Sequence, residues 1–494
     1  MTVVQAKALW LIKRDFRLFD NTALFTATYQ STEVLPVYCF EDLVYQGPDW
    51  GRFHSYASKS ALTALRKNLR HHQSDVYVCH GDLLQELMVL KKVYPFTAIY
   101  VHEETGLNHT YNRDKALQRW CTANNVVLHE YCTNGVIRRL DSRDNWEAQF
   151  TRYMEQPVWP IPSNLQITAA TKKLAAGTKM QTDKALKIVS FSTRLPVVSE
   201  HNAHQTLRDF LHVSGHTYRG GIGSMNTAPE RCSRLSYDLA WGTVSLRTVL
   251  RQTERQRYQM QEQGGSSAWV KSLTAFKSRL YWHAHFIQKL ESEVAMEHHP
   301  QNRIYAGALP YVEGEELSIR LQAWKTGNTG YPAIDAAMRY YQANGWLNFR
   351  SRAMIVSFAC HALRIPWQVI VYELAPFMMD YVPGIHVAQV QMQAGVTGTN
   401  VIRVYSPMKQ MEDKDPDAIF IKSQIPELRE FSAEAIANFQ DVPLGTYAAP
   451  IIDFKLETKI MKDALYSLKK TPDGRVASRK VYLKHGSRSR VKRS

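Results

Sequence analysis

A chain of 494 residues with 45% hydrophobic and 21% charged residues is too long for one compact core and predicts two or three domains. It holds no run of eighteen apolar residues, which excludes a membrane-spanning helix. Its six cysteines lack CxxC spacing and none follows Cys360, which argues against a zinc site or a C-terminal iron–sulfur cluster and fits a reducing cytoplasm. The formal charge of +16 points to a polyanionic partner, with nucleic acid the first candidate, and 11 Trp and 25 Tyr are available to stack on bases.

In chain order, residues 1–145 read as an α/β domain with a parallel sheet. The runs ALWLIK, EVLPVYCF, VYVCHG and TAIYVHE are short, apolar and β-branched, and helical patterns such as SKSALTALRKNLRHH and LLQELMVLKKV lie between them. The N-terminus has no basic stretch ahead of its apolar run, so it reads as a first strand rather than a signal peptide. No GxGxxG follows that strand, so a dinucleotide fingerprint is absent. Residues 146–200, rich in Pro, Thr, Lys and Ser, are expected to form an interdomain linker. Residues 201–480 show helical periodicity almost throughout and predict a large all-α domain. Residues 481–494 are basic and apolar-poor and are expected to form a disordered tail.

The stretch from Trp324 to Pro407 combines helical apolar patterning with many Gly, Arg, Asp, His, Asn and Gln residues. Polar groups buried without partners cost a few kcal/mol each, so this density predicts a polar, aromatic ligand within the helical domain.

Three segments identify a family. Lys13-Arg14-Asp15-Phe16-Arg17-Leu18-Phe19-Asp20-Asn21, directly after the first strand, resembles the RRDLRLxDN signature that opens photolyases and cryptochromes. GNTGYPAIDAAMR (327–339) resembles the KTGYPxVDAAMR helix of the same family, and SRLS (233–236), followed by Trp241 and Gly242, resembles its flavin-phosphate segment. The resemblance implies FAD in the 201–480 domain, with Tyr218, Ser233, Arg234, Leu235, Ser236, Arg352, Asp380 and His386 as its binding residues. It assigns the phosphates to 233–236, the flavin edge to the Arg352–Asp380 pair, and the neighbourhood of flavin N5 to His386, a residue able to titrate near neutrality. A shift of one residue would put Val387 there instead. It also implies an antenna chromophore (folate, deazaflavin or lumazine) or an empty cleft against the 1–145 domain, near His102-Glu103-Glu104.

The departures suggest an atypical bacterial branch. Arg279 stands where the family's dimer-gripping glutamate would be, while Trp282 keeps the lesion-pocket tryptophan. Phe349 and Ala353 replace other lesion-pocket residues, Val382 replaces a second aspartate, and the QVQMQ run (389–393) replaces the second stacking tryptophan. Of the electron-transfer tryptophans only Trp367 keeps its place; the other two positions hold Gly314 and Val390 or Gln391, and Tyr340, Tyr341, Trp324 and Trp346 are alternative donors. If extended, Gln389, Gln391 and Gln393 would present three amides on one face to read base edges; on a helix they would spread and satisfy backbone groups. Two functions follow. One is a monomeric, cytoplasmic, light-driven photolyase acting on UV-damaged DNA, with Trp282, His386 and Trp367 as catalytic residues and Arg279, Trp282, Arg403 and Lys409 meeting DNA. The other is a cryptochrome-type blue-light photoreceptor without repair activity.

Overall fold

The computed structural model describes residues 5–188 and 190–487, with the side chains of residues 5 and 6 left out. Five strands, β1 (Gln5–Leu11), β2 (Ser31–Glu41), β3 (Tyr77–Gly81), β4 (Ala98–His102) and β5 (Val127–Tyr131), form one parallel sheet in the order β3-β2-β1-β4-β5. β1 is central, and its alternating side chains split between two cores. Leu9 and Leu11 join Leu35, Val37, Ile99 and Val101 under the Leu83–Val93 and Asn108–Ala123 helices. Ala8 and Trp10 face the Thr22–Gln30 and Arg52–His71 helices in a second core. That second core continues without a break through Trp324, Tyr331, Tyr341 and Phe358 of the helical half. β5 was not anticipated from sequence. It is an edge strand, and VLHEY leaves every residue at least partly accessible, so it lacks the apolar signal of the other four.

The helical half centres on Ser267–Ser292, packed against Pro383–Gln393, with Pro332–Asn344, Phe349–Ser357 and Phe454–Lys470 around them. Proline at the first helical position starts both Pro332–Asn344 and Pro383–Gln393. The segment expected as a linker contains two helices, Trp146–Glu155 and Ala169–Ala176, joined by irregular chain. The segment expected as a disordered tail begins inside a helix. Pro472–His485 buries Val481 and His485, and His485 Nε2 lies 2.8 Å from a Glu293 carboxylate oxygen. Residues 488–494 of that segment fall outside the described residues. Among the described residues no helix is long and apolar enough to cross a membrane.

The Lys13–Asn21 signature staples the halves together. Arg14 donates to the Tyr381 carbonyl at 2.6 Å, and Arg17 donates to the Gly242 carbonyl at 2.9 Å. Asp20 receives the Arg247 guanidinium and the Ser245 hydroxyl, with Asp20 and Arg247 both buried. Asp15 stays on its own side, accepting from Trp10 Nε1 at 2.9 Å and facing His102 Nδ1 at 2.9 Å. Gly242, at φ +65°, is required at this seam: a Cβ there would stand 2.0 Å from the Arg14 carbonyl oxygen. The GNTGYPAID signature is structural in the same way. Buried Asp335 accepts from Thr329 N, Thr329 Oγ1, Gly330 N and Tyr447 Oη, which fixes the loop ahead of its helix.

Candidate functional site

Arg352 and Asp380 meet as the sequence suggested. Asn348 caps the Phe349–Ser357 helix through Ser351 N, which sets Arg352 in the first turn. Arg352 donates to Asp380 Oδ2 at 2.7 Å and to the Leu347 carbonyl at 2.7 Å. Its guanidinium also lies over the Tyr341 ring at 5.3 Å. The other Asp380 oxygen, Oδ1, is buried without a hydrogen-bond partner among the described residues, and so are Tyr341 Oη and Ser236 Oγ. Leaving such groups unpaired is expensive. Two unsatisfied polar atoms at one ion pair, Asp380 Oδ1 and Tyr341 Oη, fit a ligand that offers both donors and acceptors, and FAD does.

The Ser233–Ser236 segment closes another side. Ser236 opens the short Ser236–Trp241 helix, whose first turn has no side-chain cap, so these serines are not ordinary N-caps. Arg234 adopts a left-handed backbone (φ +58°), uncommon for a residue with a Cβ. Its guanidinium stacks 3.8 Å from the Trp346 ring centroid and donates to Tyr237 Oη at 2.5 Å. Leu235 is fully buried beneath, and Ser233 Oγ makes a long 3.5 Å contact with Leu235 N. Burial pushes the Cys232 thiol up to about 11, opposed by the Arg234 and Arg352 charges. Tyr218 is buried against Phe210 and Phe276, each with ring centroids 5.5 Å away. Tyr237 was not anticipated, and Trp346 and Tyr341 were read only as alternative electron donors; an aromatic residue beside an arginine has no sequence signature of its own.

His386 lies on the first turns of Pro383–Gln393 and is buried. Its Nε2 bonds the Val371 carbonyl at 2.8 Å, and a carbonyl only accepts, so Nε2 carries the proton. Burial lowers its pKa to about 4, partly countered by that bond. The expectation of titration near neutrality is therefore corrected: the ring is neutral at pH 7 and Nδ1 is an acceptor. Trp367, 2% exposed, stands one turn before Val371. The Gln run is helical, and Gln391 is spent on backbone, donating to the Met296 and His299 carbonyls and accepting from Gln301 N. A base-reading row of three amides is thereby overturned.

Arg279 and Trp282 share one face of Ser267–Ser292, one turn apart. Arg279 is exposed and Trp282 half-buried, its ring 4.9 Å from His285 and 5.8 Å from Phe286. Phe276, one turn before Arg279 on the same helix, packs on Tyr218 with ring centroids 5.5 Å apart, which sets this stretch of the helix beside Tyr218. Arg403 is exposed on the irregular stretch after residue 400. Lys409 is exposed but engaged by Asp413 at 3.3 Å and Glu412 at 3.7 Å, two carboxylates that a phosphate would have to displace.

A second cleft lies between the halves, lined by Lys13, Arg14, Glu103, Thr105, Asn134 and Val382 among others. Two of its acidic-end residues are committed: His102 to Asp15, and Glu104 to Arg14 at 3.3 Å and Arg113 at 2.6 Å. Glu103 makes no side-chain hydrogen bond or ion pair among the described residues. Burial pushes its carboxyl from 4.5 up to about 7, opposed by Arg138. Between those values the folded protein holds a proton that the unfolded chain releases, so stability falls as pH rises through this window. Glu103→Gln is expected to abolish that fall: its melting temperature should exceed the native protein's at pH 8 and converge on it near the ordinary glutamate range. Thermal unfolding across pH checks this.

Comparison with known proteins agrees with the geometry. The family description "DNA photolyase" matches residues 8–152 and "FAD binding domain of DNA photolyase" matches residues 276–467, together more than half of the chain. A deoxyribodipyrimidine photo-lyase of Halobacterium salinarum is 27% identical over 89% of this chain and 95% of its own length. The fold is shared with a bacterial class III photolyase from Agrobacterium tumefaciens (TM-score 0.80, 22% identity, 94% of this chain and 98% of that one). It is shared as well with a cryptochrome of Synechocystis sp. PCC6803 (TM-score 0.79, 20% identity, 94% of this chain and 100% of that one). The chain belongs to the photolyase/cryptochrome family and carries that family's FAD-binding domain.

Proposed function

We propose that this protein is a light-driven DNA photolyase acting on UV-induced pyrimidine photoproducts. The observation that carries the reading is the Arg279–Trp282 face: an exposed cation and a half-buried indole, one helical turn apart, on the helix that packs against Tyr218 and against Pro383–Gln393. On a chain of net charge +16, such a face suits a duplex with one nucleotide turned outward.

When bound, FAD supplies light absorption and one-electron chemistry. The residues supply the rest. Arg352 and Asp380 hold a flavin edge by charge-assisted hydrogen bonds, with Asp380 Oδ1 as the open acceptor. Neutral His386 presents Nδ1 as an acceptor beside the pair. Ser236 and the uncapped amides of its helix suit the pyrophosphate. Trp282 offers a stacking platform to an extrahelical base, and Arg279 and Arg403 neutralise flanking phosphates. The interdomain cleft at Glu103 is the place for an antenna chromophore.

The test is illumination of reduced protein with DNA carrying cyclobutane dimers or, separately, (6-4) products. Light-dependent loss of either lesion is the expected result. If both persist while the flavin photoreduces normally, the photoreceptor reading takes its place. That second reading has its own support: Gln391 is bonded to backbone rather than open to a base, which removes the middle amide of the Gln389–Gln393 run from base reading.

A further inference from the structure

Next to Asp380 in sequence, Tyr381 turns the opposite way, into the seam between the two halves, and is fully buried. Its ring lies 5.6 Å from His386 on one side and stacks on His54 at 5.0 Å and 25° on the other. His54 is 5.1 Å from Trp50, and Trp50 is 4.6 Å from Tyr45 and 5.9 Å from Trp241. Buried rings thus lead from the Asp380–His386 corner of the pocket to Trp50, which is half-buried and reaches the surface.

Interface packing alone explains the rings but not their polar partner. Tyr381 Oη donates to Asp49 Oδ2 at 2.9 Å, within proton-transfer reach, and Asp49 Oδ1 has no hydrogen bond among the described residues. Burial raises the Asp49 pKa, which makes this carboxylate a better proton acceptor. Burial also lowers the His54 pKa to about 3, so the ring between Tyr381 and Trp50 is uncharged.

We propose that Tyr381, His54 and Trp50 form an electron relay from the protein surface to the flavin pocket, with Asp49 as the acceptor of the Tyr381 proton. Tyr381 gives one electron to photoexcited oxidised flavin, and its O–H bond breaks as the proton passes to Asp49 Oδ2. Trp50 returns one electron across His54, Asp49 returns the proton, and the Tyr381 phenol is restored. An external thiol then reduces the Trp50 radical, so that one electron moves from thiol to flavin per cycle. This relay takes over the task of the tryptophan chain that the sequence lacks at Gly314 and at Val390 or Gln391.

The relay rests on flavin in the proposed pocket, which the visible spectrum of the purified protein reports independently. The experiment is anaerobic blue-light photoreduction with a thiol, read as loss of oxidised-flavin absorbance, together with transient absorption for phenoxyl and indolyl radicals. Tyr381→Phe and Trp50→Phe are each expected to slow photoreduction roughly tenfold or more with flavin content unchanged, and Tyr381→Phe is expected to erase the phenoxyl signal. Asp49→Asn should slow the appearance of the phenoxyl. Photoreduction at the native rate in both Tyr381→Phe and Trp50→Phe overturns the relay, as does its loss in Trp367→Phe alone. A protein that photoreduces through Tyr381 but repairs neither lesion keeps the relay and rejects only the repair reading.

Discussion

Asp20→Ala is expected to destabilise the protein by about 3–5 kcal/mol at pH 7, the range for removing one partner of a buried ion pair. Asp20 is fully buried, and its carboxylate takes the Arg247 guanidinium and the Ser245 hydroxyl from across the seam. The variant leaves Arg247, itself buried, with an uncompensated charge. Urea unfolding, followed by both tryptophan fluorescence and circular dichroism, measures the loss. The sign with pH is also fixed. Burial alone would raise the Asp20 pKa, but the Arg247 bond and the Arg17 and Arg247 charges outweigh it and hold the carboxyl below its ordinary range. The contribution is therefore complete at neutral pH and lost as pH falls through that lowered value, so the gap between native and Asp20→Asn proteins should narrow in acid.

Asp380→Ala is expected to purify with most of its flavin lost. The substitution removes the charge partner of Arg352 and the open acceptor Oδ1 together. Arg352 keeps its bond to the Leu347 carbonyl, so the side chain stays placed while its charge goes uncompensated. Removing a charge-assisted bond at the ligand and stranding a cation together amount to roughly 3 kcal/mol or more of binding, more than a hundredfold in affinity. Flavin absorbance per mole of protein, and titration of the apoprotein with FAD, give the number. Asp380→Asn should fall between the two, because an amide oxygen can still accept from Arg352. Native flavin content in both variants would remove the pair from the site.

Much of this was legible from residue order. Four of five strands declared themselves because both faces of the sheet are covered, which requires nearly continuous apolar runs such as ALWL and PVYCF. β5 did not, because an edge strand may alternate with polar residues. Arg352 and Asp380 were found by counting from Trp346, since helices of fixed length keep such spacings. Arg234 over Trp346, Tyr237 against Arg234, and Tyr381 on His54 are contacts between segments far apart in the chain, and no local pattern encodes them. The Gln389–Gln393 run was ambiguous for a different reason: alternation is a strand signal, but Pro383 at the helix start and packing on Ser267–Ser292 impose a helix.

The core shared across the seam bears on how such a protein can change over time. Trp10 of the sheet and Trp324 of the helical half belong to one apolar mass, and Arg14, Arg17 and Asp20 are satisfied by the opposite half. The sheet is therefore not a detachable cassette. Exchanging it for another α/β unit would strip one half of its apolar cover and leave buried charges unmatched, so change on this side of the molecule must come residue by residue rather than by replacing the domain.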